Sequence, residues 1–363
     1  MYKTSFTLQT NRISRKVVSS TQTRFSNVIG RYAPSPTGEL HLGNLRTALT
    51  AWLQIRLVKG TFILRMDDLD QPRVKENAAE KIIHDLKWLG LDWDLGPDKP
   101  PQGSFSGDPG FVQSQRHHHY QHAFQTLLDR GQLYPCECSR KDIAIAASAP
   151  HGRDGVLVYP GTCRPAEPYF HSSNHEQRKR KRNSHTIEPH AIDHIAWRFR
   201  VEPTEINILF FDEVMGSQSQ NLYKEVGDFV IKRKDGLFAY QLANVVDDGL
   251  MGITDVVRGA DLIDSTIRQI ALFESLGFPT PRFWHIPLLY DEHNQPMSKR
   301  DGSQSLGQWR GDMGEKQPET MVGQLAFSMG LIDRCEALSA RELLNSLTPE
   351  VFREKLIAAT ATT

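Results

Sequence analysis

The chain has 363 residues, 39% hydrophobic and 24% charged, which is long enough for a sizeable core and for two domains or one with insertions. Lys plus Arg and Asp plus Glu number 43 each, so bulk charge supplies no pull on nucleic acid and any such contact needs a local basic surface. No apolar run approaches the roughly 20 residues that cross a bilayer, so no membrane partner is expected.

Residues 1–27 carry Lys3, Arg12, Arg15, Lys16 and Arg24 among many Ser and Thr, with no acid. A disordered extension or an early start codon is expected there, although a transit peptide shares that composition. Val28–Tyr32 reads as a strand and Ala33–Gly38 as a Pro/Gly turn. Leu45, Ala48, Leu49, Trp52 and Leu53 then recur at i, i+3, i+4, i+7, i+8, predicting a helix. Thr61–Met66 is the next strand, completing a right-handed βαβ unit.

Two further apolar helical faces, Ala78 to Leu89 and Tyr120 to Leu128, stop at Gly90 and Gly131. Gly96–Gly110 reads as a surface loop. Arg164–His190 reads as an inserted loop whose Arg178–Arg182 run is either solvated or a phosphate-contacting arm. Trp197–Val201 and Leu209–Phe211 are predicted strands, and Asp228–Tyr240 a hairpin turning at Lys234-Asp235-Gly236. Asp264–Leu276 is predicted as a helix ended by Gly277, His285–Tyr290 as a buried strand, and two helices follow Ser305.

The segment from Pro34 to Asn44 joins the first strand to the first helix, the crevice where open parallel sheets bind ligands. Unpaired N–H groups at the helix start favour phosphate, Gly43 permits close backbone approach, and His41 can donate to a phosphate oxygen. Far along the chain, Pro296-Met297-Ser298-Lys299-Arg300 forms a polar loop whose Lys299 suits closure on a triphosphate. Cys136, Cys138 and Cys163 offer three thiolates, one short of a tetrahedral zinc site. Spacing alone makes His151 the natural fourth ligand, and three free thiols are the alternative. Four cysteines in a neutral chain of this size suit a reduced, cytoplasmic setting.

Arg31–Gly38 with His41-Leu42-Gly43-Asn44 resembles the HIGH signature of class I aminoacyl-tRNA synthetases in its glutamyl form, and Met297-Ser298-Lys299-Arg300 resembles the KMSKS signature. Phe238-Ala239-Tyr240 and Val257–Leu262 are also similar to the glutamyl group, and the resemblance runs from Val28 to Leu306. Asn44 closing the first signature, Pro296 in place of the leading Lys of the second, and Asp67 where the family usually has Glu are departures.

The resemblance implies an α/β fold: a Rossmann-type doubly wound parallel sheet with a zinc-binding insertion and a short helical C-terminal remainder. It implies catalytic roles for His41 and Lys299, and ATP binding by His41, Gly43, Asn44, Met297, Ser298 and Lys299 with Mg2+. It likewise implies glutamate contacts at Arg31, Ser35, Asp67, Tyr240 and Arg258. Within the shortened glutamyl-Q tRNA(Asp) group it implies structural Zn2+ on Cys136, Cys138, Tyr159 and Cys163.

The expected division is 1–27 extension, 28–133 first catalytic half, 134–200 insertion, 201–306 second catalytic half and 307–363 remainder without an anticodon-binding domain. The expected reaction is ATP-dependent activation of L-glutamate and its transfer to the queuosine base of tRNA(Asp), by a monomer. The alternatives are a shortened enzyme charging tRNA(Glu) and a silent RNA-binding paralogue.

Overall fold

The computed structural model describes residues 16–17, 27–99, 110–139, 141–142, 158–170, 195–288, 306–307, 309 and 317–360. Pro296, Met297, Ser298, Lys299, His151, the Arg178–Arg182 run, most of the Gly96–Gly110 loop and nearly all of the N-terminal extension lie outside the described residues. Among the described residues no helix is long and apolar enough to cross a membrane.

In chain order the elements begin with β1 (Lys16–Val17), β2 (Ile29–Tyr32), α1 (Leu42–Leu57), β3 (Thr61–Leu64), α2 (Ala78–Trp88) and α3 (His117–Asp129). Strands β4 (Leu133–Cys136), β5 (Ala196–Phe199), β6 (Ile208–Asp212), β7 (Gly216–Gln220) and β8 (Phe229–Lys232) follow. Next come α4 (Tyr240–Leu250), β9 (Asp255–Gly259), α5 (Ile263–Leu276) and β10 (Arg282–Ile286). Helices α6 (Pro318–Ser328), α7 (Ala340–Asn345) and α8 (Pro349–Thr360) complete the described chain.

The main sheet is ordered β1-β6-β10-β9-β2-β3, parallel throughout, with β7 added antiparallel to β6. A second, antiparallel sheet is ordered β4-β5-β8. From β2 the chain lays β3 to one side through α1, and from β9 it lays β10 to the other through α5. The carboxyl ends of β2 and β9 therefore flank the point where the strand order reverses, the place in such sheets where a crevice forms.

Alternation across the pleat divides the interior in two. Phe62, Leu64, Val257, Trp284 and Ile286 face one core with α1, whereas Ile63, Val256 and Phe283 face a second core with α3, α4 and α5. Burial on both faces explains why these strands read as continuous apolar runs.

The expected hairpin over Asp228–Tyr240 is reduced to β8 and one bridge between Lys232 and Phe238, because Tyr240 opens α4. Leu242 through Asp248 are all buried, so the polar face of α4 meets a buried charge network instead of solvent. The strand expected over His285–Tyr290 occupies Arg282–Ile286 instead and stops before Pro287, which has no N–H to give a ladder.

Among the described residues α6, α7 and α8 follow Ser305, where two helices were expected. The short α7 begins at a capping box in which Ser339 and Glu342 satisfy each other's backbone N–H groups. Met321, Leu325, Leu343, Phe352 and Leu356 from these helices join the α1 core. Phe352 is 1% exposed. Phe352→Ala is expected to cost about 3–5 kcal/mol by urea unfolding, and a loss below about 1 kcal/mol would place α8 outside the cooperative core.

Candidate active site

A cleft of about 610 Å³ opens at the carboxyl ends of β2 and β9, within the size range of small-molecule sites. Arg31, Ser35, His41, Gly43, Asn44, Asp67, Tyr240 and Arg258 all line it. The sequence-assigned residues Met297, Ser298 and Lys299 lie outside the described residues. The cysteines are not among the lining residues and form a separate centre.

The loop leaving β2 runs into α1 at His41, whose carbonyl accepts from the Leu45 N–H at 3.0 Å. Asn44 Oδ1 accepts from the His41 N–H at 3.4 Å, so this side chain closes the helix start. The first turn of α1 contains no acid, leaving the positive end of the helix to favour an anion. A Cβ on Gly43 would come within 3.1 and 3.2 Å of His41 ring atoms, so glycine here leaves the imidazole its place.

The floor of the cleft is a buried charge network. Arg31 donates from Nε and Nη2 to the two oxygens of Asp248, at 3.1 and 3.3 Å. Arg65, fully buried, donates to Asp248 Oδ1 at 2.7 Å, to both Asp67 oxygens at 2.7 and 3.3 Å, and to Asn244 Oδ1 at 2.9 Å. Burial pushes the Asp67 carboxyl up to about 6 against the opposing pull of Arg65. Burial acts upward on Asp248 too, but Arg31 and Arg65 outweigh it and hold that carboxyl below the usual range. Among the described residues, the buried Asn244 amide Nδ2 on the cleft wall has no hydrogen-bond partner.

Arg258, on β9 next to Arg31's strand, is held differently. Its Nε donates to His285 Nε2 at 2.9 Å, Nη1 to Gln269 Oε1 at 2.7 Å and Nη2 to Thr266 Oγ1 at 2.8 Å. All three acceptors are uncharged, and burial lowers the guanidinium's pKa. Tyr240, 41% exposed at the start of α4, stands beside it. The result is a desolvated cation whose remaining N–H groups suit an incoming carboxylate.

Sequence reasoning missed Arg65, Asn244, Asp247, Asp248 and His285. For Asn244, Asp247 and Asp248 the readable signal is their polar spacing with Tyr240 at i, i+4, i+7 and i+8, one face of a helix. Arg46, also on the cleft, was missed as well. It donates to the carbonyls of Pro287 and Ser328 at 3.2 and 3.3 Å, and burial lowers it to about 10.

In the cysteine centre the ligand atoms of Cys136, Cys138 and Cys163 all lie within 4.8 Å of one another. The Tyr159 hydroxyl is 3.4 Å from Cys136 Sγ and 3.6 Å from Cys138 Sγ, and it accepts from the Cys163 N–H at 2.7 Å. The three thiols converge on one phenol, and the three-cysteine cluster is compatible with zinc. Arg198 donates from Nε to Cys136 Sγ at 3.2 Å, and its guanidinium carbon lies 3.7 Å from the Tyr159 ring centroid. Burial raises the Tyr159 hydroxyl's pKa, so the charge of a metal is needed to ionise it.

Comparison with known proteins gives this geometry its context. The catalytic-domain model of "tRNA synthetases class I (E and Q)" matches residues 27–360. A Glutamyl-Q tRNA(Asp) synthetase of Symbiobacterium thermophilum is 45% identical over 317 residues, 87% of this chain and 90% of the relative. One of Deinococcus radiodurans is 42% identical over 325 residues, 87% of this chain and 95% of the relative. A glutamate tRNA ligase from Elizabethkingia meningosepticum, crystallised with its amino acid, superposes with a TM-score of 0.67 at 26% identity, covering 89% of this chain and 65% of that one. The fold and the resemblance expected from the two signatures agree with all of these matches, and the chain belongs to the class I tRNA synthetases of the E and Q group.

Proposed function

We propose that the chain activates L-glutamate with ATP and transfers it to the queuosine base of tRNA(Asp). The observation that carries glutamate is Arg258, buried on neutral acceptors one strand away from Arg31 in the same cleft. Two cations in one cleft fit a substrate with two carboxylates. Ser35 and Tyr240 add hydroxyl donors, and Asp67 faces the ammonium.

The activation step joins the substrate carboxylate to the α-phosphorus of ATP as pyrophosphate leaves, which is served by positioning and charge stabilisation. His41, Gly43, Asn44 and the α1 N-terminus hold the nucleotide, and Met297, Ser298 and Lys299 cover its phosphates. Mg2+ accompanies ATP and neutralises phosphate charge. Cys136, Cys138, Tyr159 and Cys163 would hold a structural Zn2+, which would pin the 134–200 insertion, the part that meets the RNA. The acceptor rests on the relatives' names, which come from proteins matched over 90% and 95% of their own length. A second reading, charging of tRNA(Glu), is favoured by the likeness to the glutamate tRNA ligase, of which this chain spans 65%.

Pyrophosphate exchange into ATP is expected with glutamate and without tRNA, and not with aspartate. Labelled glutamate is expected on tRNA(Asp) containing queuosine, with none on queuosine-free transcript. Labelling of tRNA(Glu) instead establishes the second reading, and a protein silent in exchange is neither enzyme.

Asp67 attracts an ammonium only when ionised, a form present above about 6 and lost as pH falls through that value. Exchange kcat/KM for glutamate is therefore expected to fall about tenfold per pH unit below about pH 6. Asp67→Asn should be weak at every pH and lack this limb; an unchanged limb in that variant assigns the titration elsewhere.

Metal analysis of the purified chain is expected to find one zinc. Tyr159→Phe should release it at lower chelator concentration than the parent. Equal retention in Tyr159→Phe together with loss in His151→Ala would make His151 the fourth ligand.

A further inference from the structure

Behind Arg258 lies a buried relay to which the glutamate reading gives no role. His285 and Asp212 are both 0% exposed, on neighbouring strands β10 and β6. His285 Nε2 accepts from Arg258 Nε at 2.9 Å, which requires the imidazole proton to be on Nδ1. Nδ1 faces Asp212 Oδ2 at 2.6 Å, so the carboxylate holds the proton there. Asp212 is itself fixed, because its Oδ1 accepts from the N–H groups of Val214, Met215 and His285 at 3.1, 2.8 and 3.3 Å.

The consequence concerns charge. A carboxylate directly on Arg258 would neutralise it and leave nothing for the substrate. An imidazolium would turn a second donor toward the guanidinium Nε. The neutral Nδ1–H tautomer alone supplies an acceptor without supplying charge, and burial, which lowers the ring's pKa, favours that neutral state. Asp212 acts one ring farther away, with its own charge shared among three backbone N–H groups and the imidazole.

We propose that Asp212 and His285 are positioning residues that keep Arg258 oriented and uncompensated, and thereby set the preference for glutamate over its uncharged amide, glutamine. This rests on the glutamate reading above.

The test is pyrophosphate exchange with glutamate and with glutamine, varying amino acid and ATP separately, on the parent, Asp212→Asn, His285→Gln and the double variant. Asn at 212 keeps the Oδ1 acceptor for the backbone but offers an N–H to Nδ1, which moves the ring proton to Nε2 and sets two donors face to face. Asp212→Asn is expected to raise KM for glutamate roughly 10–100-fold while KM for ATP stays within about twofold, and to narrow the glutamate-to-glutamine ratio.

In His285→Gln the side-chain oxygen can still accept from Arg258 and no tautomer exists to be reversed. Asp212→Asn should then add less than about twofold in that background. Equal costs of Asp212→Asn in both backgrounds, or KM for ATP rising with that for glutamate, overturns the proposal. A nitrogen-15 NMR spectrum of the full parent chain, with the His285 signals identified by their loss in His285→Gln, reads the tautomer independently of how Asp212→Asn folds. Protonated Nδ1 with bare Nε2 is expected at neutral pH; the opposite tautomer or an imidazolium overturns it. A parent protein with no glutamate-dependent exchange overturns the glutamate reading itself, a result visible before any variant is compared.

Discussion

The buried guanidinium groups of Arg31 and Arg258 line one cleft, and the placement of the surrounding elements follows from how each is compensated. Arg31 shares the Asp248 carboxylate with Arg65, so β2, β3 and α4 are tied at one oxygen cluster. The adjacent Asp247 accepts from Arg116 at 2.6 Å, from Gln113 at 2.8 Å and from the Tyr120 hydroxyl at 3.1 and 2.9 Å, which brings α3 and the turn before it into the same network. Buried ion pairs contribute little net stability against an apolar core, but they are strict about geometry because any misplaced member is left charged and dry. The network fixes where Arg31 points. Arg258 stands outside it, on neutral partners, so the two arginines that line the cleft are oriented by different means.

Local order in the sequence made the first half of this arrangement legible. The apolar spacing from Leu45 to Leu53 located α1, Gly277 takes the left-handed backbone that ends α5 (φ 78°), and the Pro/Gly segment before His41 placed the crevice. The partners of the arginines were not legible, because Arg31 and Asp248 are 217 residues apart and no periodic pattern links them. The same holds for Asp212 and His285, 73 residues apart, whose pairing depends on β6 lying beside β10. α4 was missed for a different reason: its polar face, Asn244, Asp247 and Asp248, points at buried partners and so does not mark a solvent-facing side. Spacing also favoured His151, which lies outside the described residues, and the fold brings the Tyr159 hydroxyl among the three thiols.

The two centres are joined through one small sheet. Leu133, Trp197, Phe199, Phe229 and Ile231 from β4, β5 and β8 face the core that also packs α3, α4 and α5. Cys136 ends β4, and with Tyr134 and Tyr159 it belongs to a separate cluster. The cysteine centre is thus mounted on a sheet whose other side chains belong to the catalytic interior.

β8 continues through the turn at Lys234-Asp235-Gly236 to the bridge at Phe238, and two residues later Tyr240 begins α4. Asp228, just before β8, is gripped by the Tyr134 hydroxyl, by Arg164 next to Cys163, and by the backbone N–H of Val201. β8 thus runs from the residues that hold Asp228 beside the cysteine centre to the helix that presents Tyr240 and Asn244 to the cleft, with Asp247 and Asp248 buried beneath them.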